Sequence, residues 1–408
     1  MACLAVSLAV LASAASNLLL QSSPSLAHRV NPLNVDARIA LVAKQIGKTD
    51  AAGIEALSQV ITAGIRTAPV DARLVSLLGL VRQQQGRNQE AQQLFRRSLA
   101  LLPTEIQALL QRFLFHVDRK DYSSAVRIAD LVSRRWLKHW PVLEPYLAVI
   151  LSGETTVREA ATRFGQSRHG KALLITSLVK QPETLNLATR LVTIWQQQGI
   201  KDLWPATNQI TRRLVAEKRY AEAYILFRSM LDEQQGGETG YVFNADFKSQ
   251  PTGNPFDWQF KKQAGVSMRI VRLVNNTDNM NTDSRRDDRA LQIKFLDNPV
   301  QFKSLNQLMR LVPGDYDLAA TYQTTELRAP KPLFLAVECI DSRIKLAVLP
   351  FESGTYKLNT VSNEFRIPPQ GCALQRIHVF NEFLARSWSN RYSGRLTLDR
   401  IFIRRLEG

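Results

Sequence analysis

The stretch RLVPGDYDLAATYQ, Arg310 to Gln323, breaks the rhythm of everything before it. Upstream, apolar residues recur at helical spacing. Here a Pro-Gly-Asp corner leads into Tyr316, Leu318, Ala320 and Tyr322, a period of two. A period of two puts all four side chains on one face of a β-strand. Two tyrosines framing two apolar residues predict a face packed in an interior rather than a ligand platform. Pro313 and Gly314 are residue types that make turns, and the stretch reads as a hairpin joining two central strands.

Working outward, the alternation recurs in VSMRIVRLV, ALQIKFL, QLMRLV, PLFLAVECI, IKLAVLPF, EFRIP, LQRIHVF and RLTLDRIFIRR, with YVFNADF as the expected opening strand. Clusters of Gly, Pro, Asn and Asp separate these segments. Short strands spaced in this way predict an antiparallel β-sandwich of jelly-roll type over 241–408. Just before it, DEQQGGETGY (232–241) is polar with a double glycine, the composition of a linker.

The preceding part repeats. In DARLVSLLGLVRQQQGRNQEAQQLFRRSLALLP, residues 71–103, Gly79 and Ala91 are small enough to let two helices approach, and Phe95 fills the gap between them. Pro103 stops the second helix because it has no amide hydrogen. This segment resembles a tetratricopeptide repeat. The same slots return at Ala125 and Ala129, and at Ala223 and Phe227, so the resemblance implies helical hairpins over 30–235. A single hairpin cannot bury its own face, so neighbours would stack into a solenoid. The expected fold class is therefore α + β in two domains, an N-terminal α-solenoid followed by a C-terminal antiparallel β-sandwich.

The net charge is +17, and the excess of Lys and Arg lies in both halves of the chain. Such an excess favours acidic partners: nucleic acid, anionic lipid or acidic polysaccharide. The N-terminus narrows the choice. MACLAVSLAVLASAASNLLL carries no charge, and Ala12-Ser13-Ala14 has the A-x-A form of a signal cleavage site. Residues 1–27 read as a signal peptide or, through the apolar run 4–20, a membrane anchor, with a buried N-terminal helix as the alternative. The expected location is periplasmic or otherwise extracytoplasmic, with inner-membrane anchoring one form of it. Nucleic acid is then not an expected partner; a basic nucleic-acid-binding repeat protein is the reading that applies without export. Cys3 would leave with the signal. Cys339 and Cys372 remain as a candidate disulfide between strand ends, with two buried thiols as the alternative.

Several pieces of 241–408 resemble galactose-binding-like jelly rolls, the group that includes many carbohydrate-binding modules: VFNADF as an opening strand, NPFDWQF after it, the Pro-Gly-x-Tyr corner, and LTLDRIFIRR as a closing strand. Together with the repeats and a late Gly371-Cys372-x-x-Gln375, the chain resembles proteins of bacterial exopolysaccharide or envelope-polysaccharide systems. That resemblance implies glycan docking. The aromatic residues offered for it are Trp388 and Tyr392, set among Ser, Asn and Arg391, and Trp258. In calcium-binding relatives a first-strand acid and a last-strand acid share an ion. Asp399 matches the second position, but Lys248 holds the first, which leaves Asp246 as a weak substitute.

Catalytic patterns are missing from the sequence. The five histidines are not spaced with one another or with cysteine as zinc ligands. There is no Gly-x-Ser-x-Gly elbow, phosphate loop or His-Glu-x-x-His, and His378 reads as a sheet residue. The expected protein is a non-catalytic scaffold with no cofactor. Its helices would bind partner proteins, and its sandwich would bind glycan or another subunit. The alternative is a polysaccharide-degrading enzyme carrying an accessory domain.

Overall fold

The computed structural model describes residues 2–232, 240–272, 289–382 and 390–406. The chain divides into two compact units, 1–177 and 178–408.

The first unit is helical; from Ala2–Leu19 to Tyr122–Arg135 each helix packs on the next in sequence, and Glu154–Gly165 packs back on Tyr122–Arg135. Carboxylates set the helix starts. Asp50 accepts from the Gly53 amide, Asp71 from Arg73, Glu105 from Ala108 and Asp121 from Ser124, each satisfying an amide with no partner inside its helix. The helix Ala72–Gln84 lies against Asn88–Leu101, and the contact is as tight as the sequence predicts: a Cβ on Gly79 would stand 2.6 Å from Cε1 of Phe95. Phe95, Ala91 and Ala125 are fully buried and Ala129 is 1% exposed. The second helix of that pair ends at Leu101, just ahead of Pro103. The first helix, Ala2–Leu19, is held at its C-terminal end by Ser16, which donates to Ala27 O (2.8 Å), and by Asn34, which donates to Ser16 Oγ and to Asn17 Oδ1. Among the described residues no helix is long and apolar enough to cross a membrane.

The second unit contains three more helices, Leu185–Gln197, Trp204–Ala216 and Tyr220–Ser229, followed by ten strands. Sequence groups these helices with the repeats, yet they belong to the same compact unit as the sandwich, and specific bonds account for this. Asn208 and Arg212 donate to the carbonyls of Thr252 and Gly253, while Phe227 packs on Phe243 (5.2 Å) and Phe256 (5.8 Å). The loop they grip is shaped by Asp257, fully buried. Its carboxylate accepts from the Thr252 amide and hydroxyl and from the Trp258 amide, while burial pushes its pKa up to about 6.

The strands are β1 (Gln259–Phe260), β2 (Val266–Arg272), β3 (Arg289–Pro299), β4 (Leu305–Met309), β5 (Gly314–Arg328), β6 (Leu333–Cys339), β7 (Lys345–Phe351), β8 (Gly354–Ile367), β9 (Gln375–Asn381) and β10 (Arg391–Arg405). They form two five-stranded antiparallel sheets, ordered β1-β4-β9-β6-β7 and β2-β3-β10-β5-β8. The inward residues of both sheets share one core, as in a sandwich.

The opening stretch behaves as expected on one count and differently on another. Tyr316, Leu318, Ala320 and Tyr322 are all fully buried. Pro313-Gly314, however, does not turn a hairpin: β4 lies in one sheet and β5 in the other, so the corner carries the chain across the sandwich. Periodicity assigns a side chain to a face, whereas strand pairing is decided by contacts distant in sequence. YVFNADF is a second departure. It forms turns, with Asn244 and Phe247 in left-handed backbone, and it is tied to the sheets by the Ile401 amide donating to Ala245 O and by Gln307 Nε2 donating to Phe243 O. Cys339 and Cys372 are joined as a disulfide across the ends of the inner strands. The linker residues 233–239 lie outside the described residues.

Candidate functional site

In the sheet β1-β4-β9-β6-β7 alternate residues point away from the core. Ile377 and Val379 of β9 are buried in it, so Arg376, His378 and Phe380 face outward. Register then fixes their neighbours. Arg376 pairs with Glu338 of β6, His378 with Ala336 of β6 and Asn306 of β4, and Phe380 with Phe334. The rings of His378 and Phe380 stack at 5.0 Å, and Phe334 lies 5.5 Å from Phe380. Lys345 of β7 places its ammonium 4.2 Å from the Phe380 ring centroid.

Beside this row opens a cleft of about 360 Å³, whose lining includes Lys261, Lys303, Asn306, Arg376, His378 and Phe380. Asn381 accepts from the Phe302 amide (2.7 Å) and donates to Val300 O (2.8 Å), fixing beside β9 the segment that carries Gln301 and Lys303. Lys261 is held where β1 ends, its amide donating to Ser304 O. Neither Lys261 nor Lys303 has a carboxylate partner among the described residues.

No acid lines the cleft among the described residues, and Glu338, on the neighbouring strand, is ion-paired with the Arg376 that does. His378 Nε2 stands 3.2 Å from the other Glu338 oxygen but out of line for a hydrogen bond. Burial pushes the imidazole down to about 4, Arg376 and Lys345 act in the same direction, and Glu338 opposes them. At neutral pH His378 is therefore an uncharged ring, and the positive charge of the cleft comes from Lys261, Lys303 and Arg376. Such a set can meet carboxylates or sulfates with cations and hydroxyls with the amides of Gln301 and Asn306, and it offers one aromatic wall.

Trp258 and Tyr392, two of the aromatic residues expected to bind glycan, are not in this cleft. Trp258 is fully buried, 5.4 Å from Phe247, with its indole N–H donating to Asn244 O. Tyr392 is 1% exposed, packed on Phe295, its hydroxyl donating to Lys331 O. Both serve the core, because each bulky ring has a polar tip that finds a backbone acceptor on burial. Arg391 is turned back onto Asp297, bonding both its carbonyl and its carboxylate. Trp388 lies outside the described residues. Asp246 is bound to the Lys248 ammonium at 2.6 Å, the charge noted above as unfit for a cation site. Asp399 has a partner of its own, at a bulge between β10 and β5. The residues that do line the cleft come from four separate segments. The signal available in sequence was Arg376-x-His378-x-Phe380, a basic and aromatic face in period two.

No protein-family model matches the chain, and no curated protein matches its sequence. Among solved structures it is similar to one described as "CBM4 structure and function", at 12% identity over 40% of this chain and 99% of that one, TM-score 0.28. It is also similar to TmCBM61 in complex with β-1,4-galactotriose, at 17% identity over 41% and 100%, TM-score 0.28. A third is the CBM22-1 xylan-binding domain from Paenibacillus barcinonensis Xyn10C, at 12% identity over 37% and 86%, TM-score 0.25. The sandwich assignment rests on its own strand order, register and shared core.

Proposed function

We propose that this is a non-catalytic, exported binding protein. Its sandwich docks on an acidic polysaccharide through the cleft over β9 and β4, and its helices form a solenoid that holds partner proteins in envelope- or exopolysaccharide assembly. The observation that carries the glycan reading is the pairing of two ammonium groups without a carboxylate partner among the described residues, Lys261 and Lys303, with an aromatic wall and fixed amides in one cleft. Cations without protein counterions attract an anionic polymer at long range and pair with it at contact. Hydrolysis of a glycosidic bond ordinarily needs two carboxyl groups placed across it. Among the described residues no acid lines this cleft, and Glu338 beside it is held by Arg376.

The test is affinity electrophoresis of the full chain through gels containing polygalacturonate or a neutral β-glucan. Retardation by polygalacturonate, weakened in Lys261→Gln/Lys303→Gln, is the expected result. Equal mobility of parent and variant in that gel would remove the cleft from the reading.

A further inference from the structure

A second charged groove lies in the helical unit, in a place that the glycan cleft does not explain. It measures about 640 Å³ and is walled by Asn88–Leu101 and Ile106–Asp118, with the end of Ala72–Gln84 beside it. One wall is a row of carboxamides, Gln89, Gln92 and Gln93, ending in Arg96; the other carries Arg112 and Arg119. Side chains three and four apart share a helix face, which is why these line one surface.

The arginines are set in two ways. Arg112 is oriented: it donates to Gln92 Oε1 (3.1 Å) and to His116 Nε2 (2.8 Å), while His116 Nδ1 meets Asp121 Oδ2 at 2.8 Å. Guanidinium can only donate, so Nε2 accepts and Nδ1 carries the proton toward Asp121. Arg96 and Arg119 have no carboxylate partner among the described residues. Arg112 and Arg119 both place their guanidinium over the Phe115 ring, at 4.7 and 4.8 Å. Three like charges thus gather around one groove whose lining holds a single acid, Asp118. Consistent with that crowding, burial first, and then Arg96 and Arg119, lower the Arg112 pKa, with only Asp121 opposing. An anion entering the groove would relieve this repulsion.

We infer that this groove binds an extended acidic peptide segment of a partner protein, with Asp or Glu side chains on Arg96 and Arg119 and the glutamine row on the peptide backbone. The inference deepens the protein-binding half of the function proposed above. Peptide is favoured over glycan by two features. Carboxamides offer a donor and an acceptor together, matching a backbone amide, and the one aromatic ring in the groove is already covered by two guanidiniums, so a sugar ring has nothing to stack on.

The experiment is fluorescence anisotropy of the full chain with a labelled peptide of alternating Glu and Gly at low salt. Exposed arginine–carboxylate pairs contribute little individually, so Arg96→Gln/Arg119→Gln should weaken binding about tenfold in total. A control with the same charge loss on another surface, Lys44→Gln/Lys48→Gln, should bind like the parent. Equal weakening by both variants would show attraction to overall charge and overturn the inference, as would no binding by the parent. Polygalacturonate that displaces the peptide from the parent, and itself binds in a manner abolished by Arg96→Gln/Arg119→Gln, would make the groove a glycan site and also overturn it. Because Lys261→Gln/Lys303→Gln leaves this groove intact, that variant should keep full peptide binding whether or not the glycan reading holds.

Discussion

His378 and Asp257 pull the stability of the second unit in opposite directions over the same pH range, and removing the first should expose the second. The folded imidazole holds its proton less tightly than an unfolded one, about 4 against 6.5. Stability is therefore complete above pH 6.5 and lost as pH falls toward 4. At 1.36 kcal/mol per unit the loss is about 3 kcal/mol. The folded Asp257 carboxyl holds its proton more tightly, about 6 against 3.8. Its contribution is complete below pH 3.8 and lost as pH rises through 6, again about 3 kcal/mol. Between pH 4 and 6 the two slopes nearly cancel. His378→Phe keeps a ring beside Phe380 and removes the titration. Urea unfolding of the full chain at several pH values, taken as variant minus parent so that other titrating groups cancel, should show the variant gaining about 3 kcal/mol between pH 6.5 and 4. A difference that stays flat across that range would refute the claim that His378 is held neutral by burial.

Three further outcomes follow from packing, cross-linking and the N-terminus. Reducing Cys339–Cys372, a link spanning 33 residues, should cost the sandwich about 3 to 4 kcal/mol by chain entropy, read as a lowered unfolding midpoint with and without reductant. Gly79→Val should destabilise the helical unit by about 3 kcal/mol, because its Cβ enters the space of the Phe95 ring; adding Phe95→Leu should recover part of the loss, and a double variant no better than the single one would deny that contact. Fusing residues 1–27 to a reporter active only outside the cytoplasm should yield activity if that segment directs export, and a silent fusion would favour a buried N-terminal helix.

How much could be read from the chain depended on the range of the interaction. Gly79 and Phe95 are 16 positions apart on adjoining helices, and local chemistry predicted their contact. The faces of Tyr316 and Tyr322 followed from a period of two. The pairing of β5 did not, because both of its neighbours, β10 and β8, lie far along the chain. Tyr392 shows how composition misleads: Ser, Asn and Arg around it suggested an exposed loop, yet its ring fits against Phe295 at the start of β10. The cleft escaped notice for the same reason as the strand order. Lys261, Lys303, Asn306 and Arg376 meet only when three strands and their ends are brought side by side.

Part of the net charge of +17 can be placed on the structure. Many arginines on the helix surfaces spend their charge locally: Arg158 on Glu154, Arg163 on Glu159 and Arg213 on Glu217 are pairs one helical turn apart, which support helix and little else. Such pairs are close to neutral at the distance where a ligand first feels the protein. Lys261 and Lys303 in the cleft, and Arg96 and Arg119 in the groove, have no such partner among the described residues. Screening by salt weakens the pull of unpaired exposed charges, so attraction at both sites should fall as ionic strength rises. One site combines its cations with an aromatic wall, the other with a row of carboxamides, and the proposals of a sugar ligand for the first and a peptide for the second rest on those neutral groups rather than on the shared positive charge.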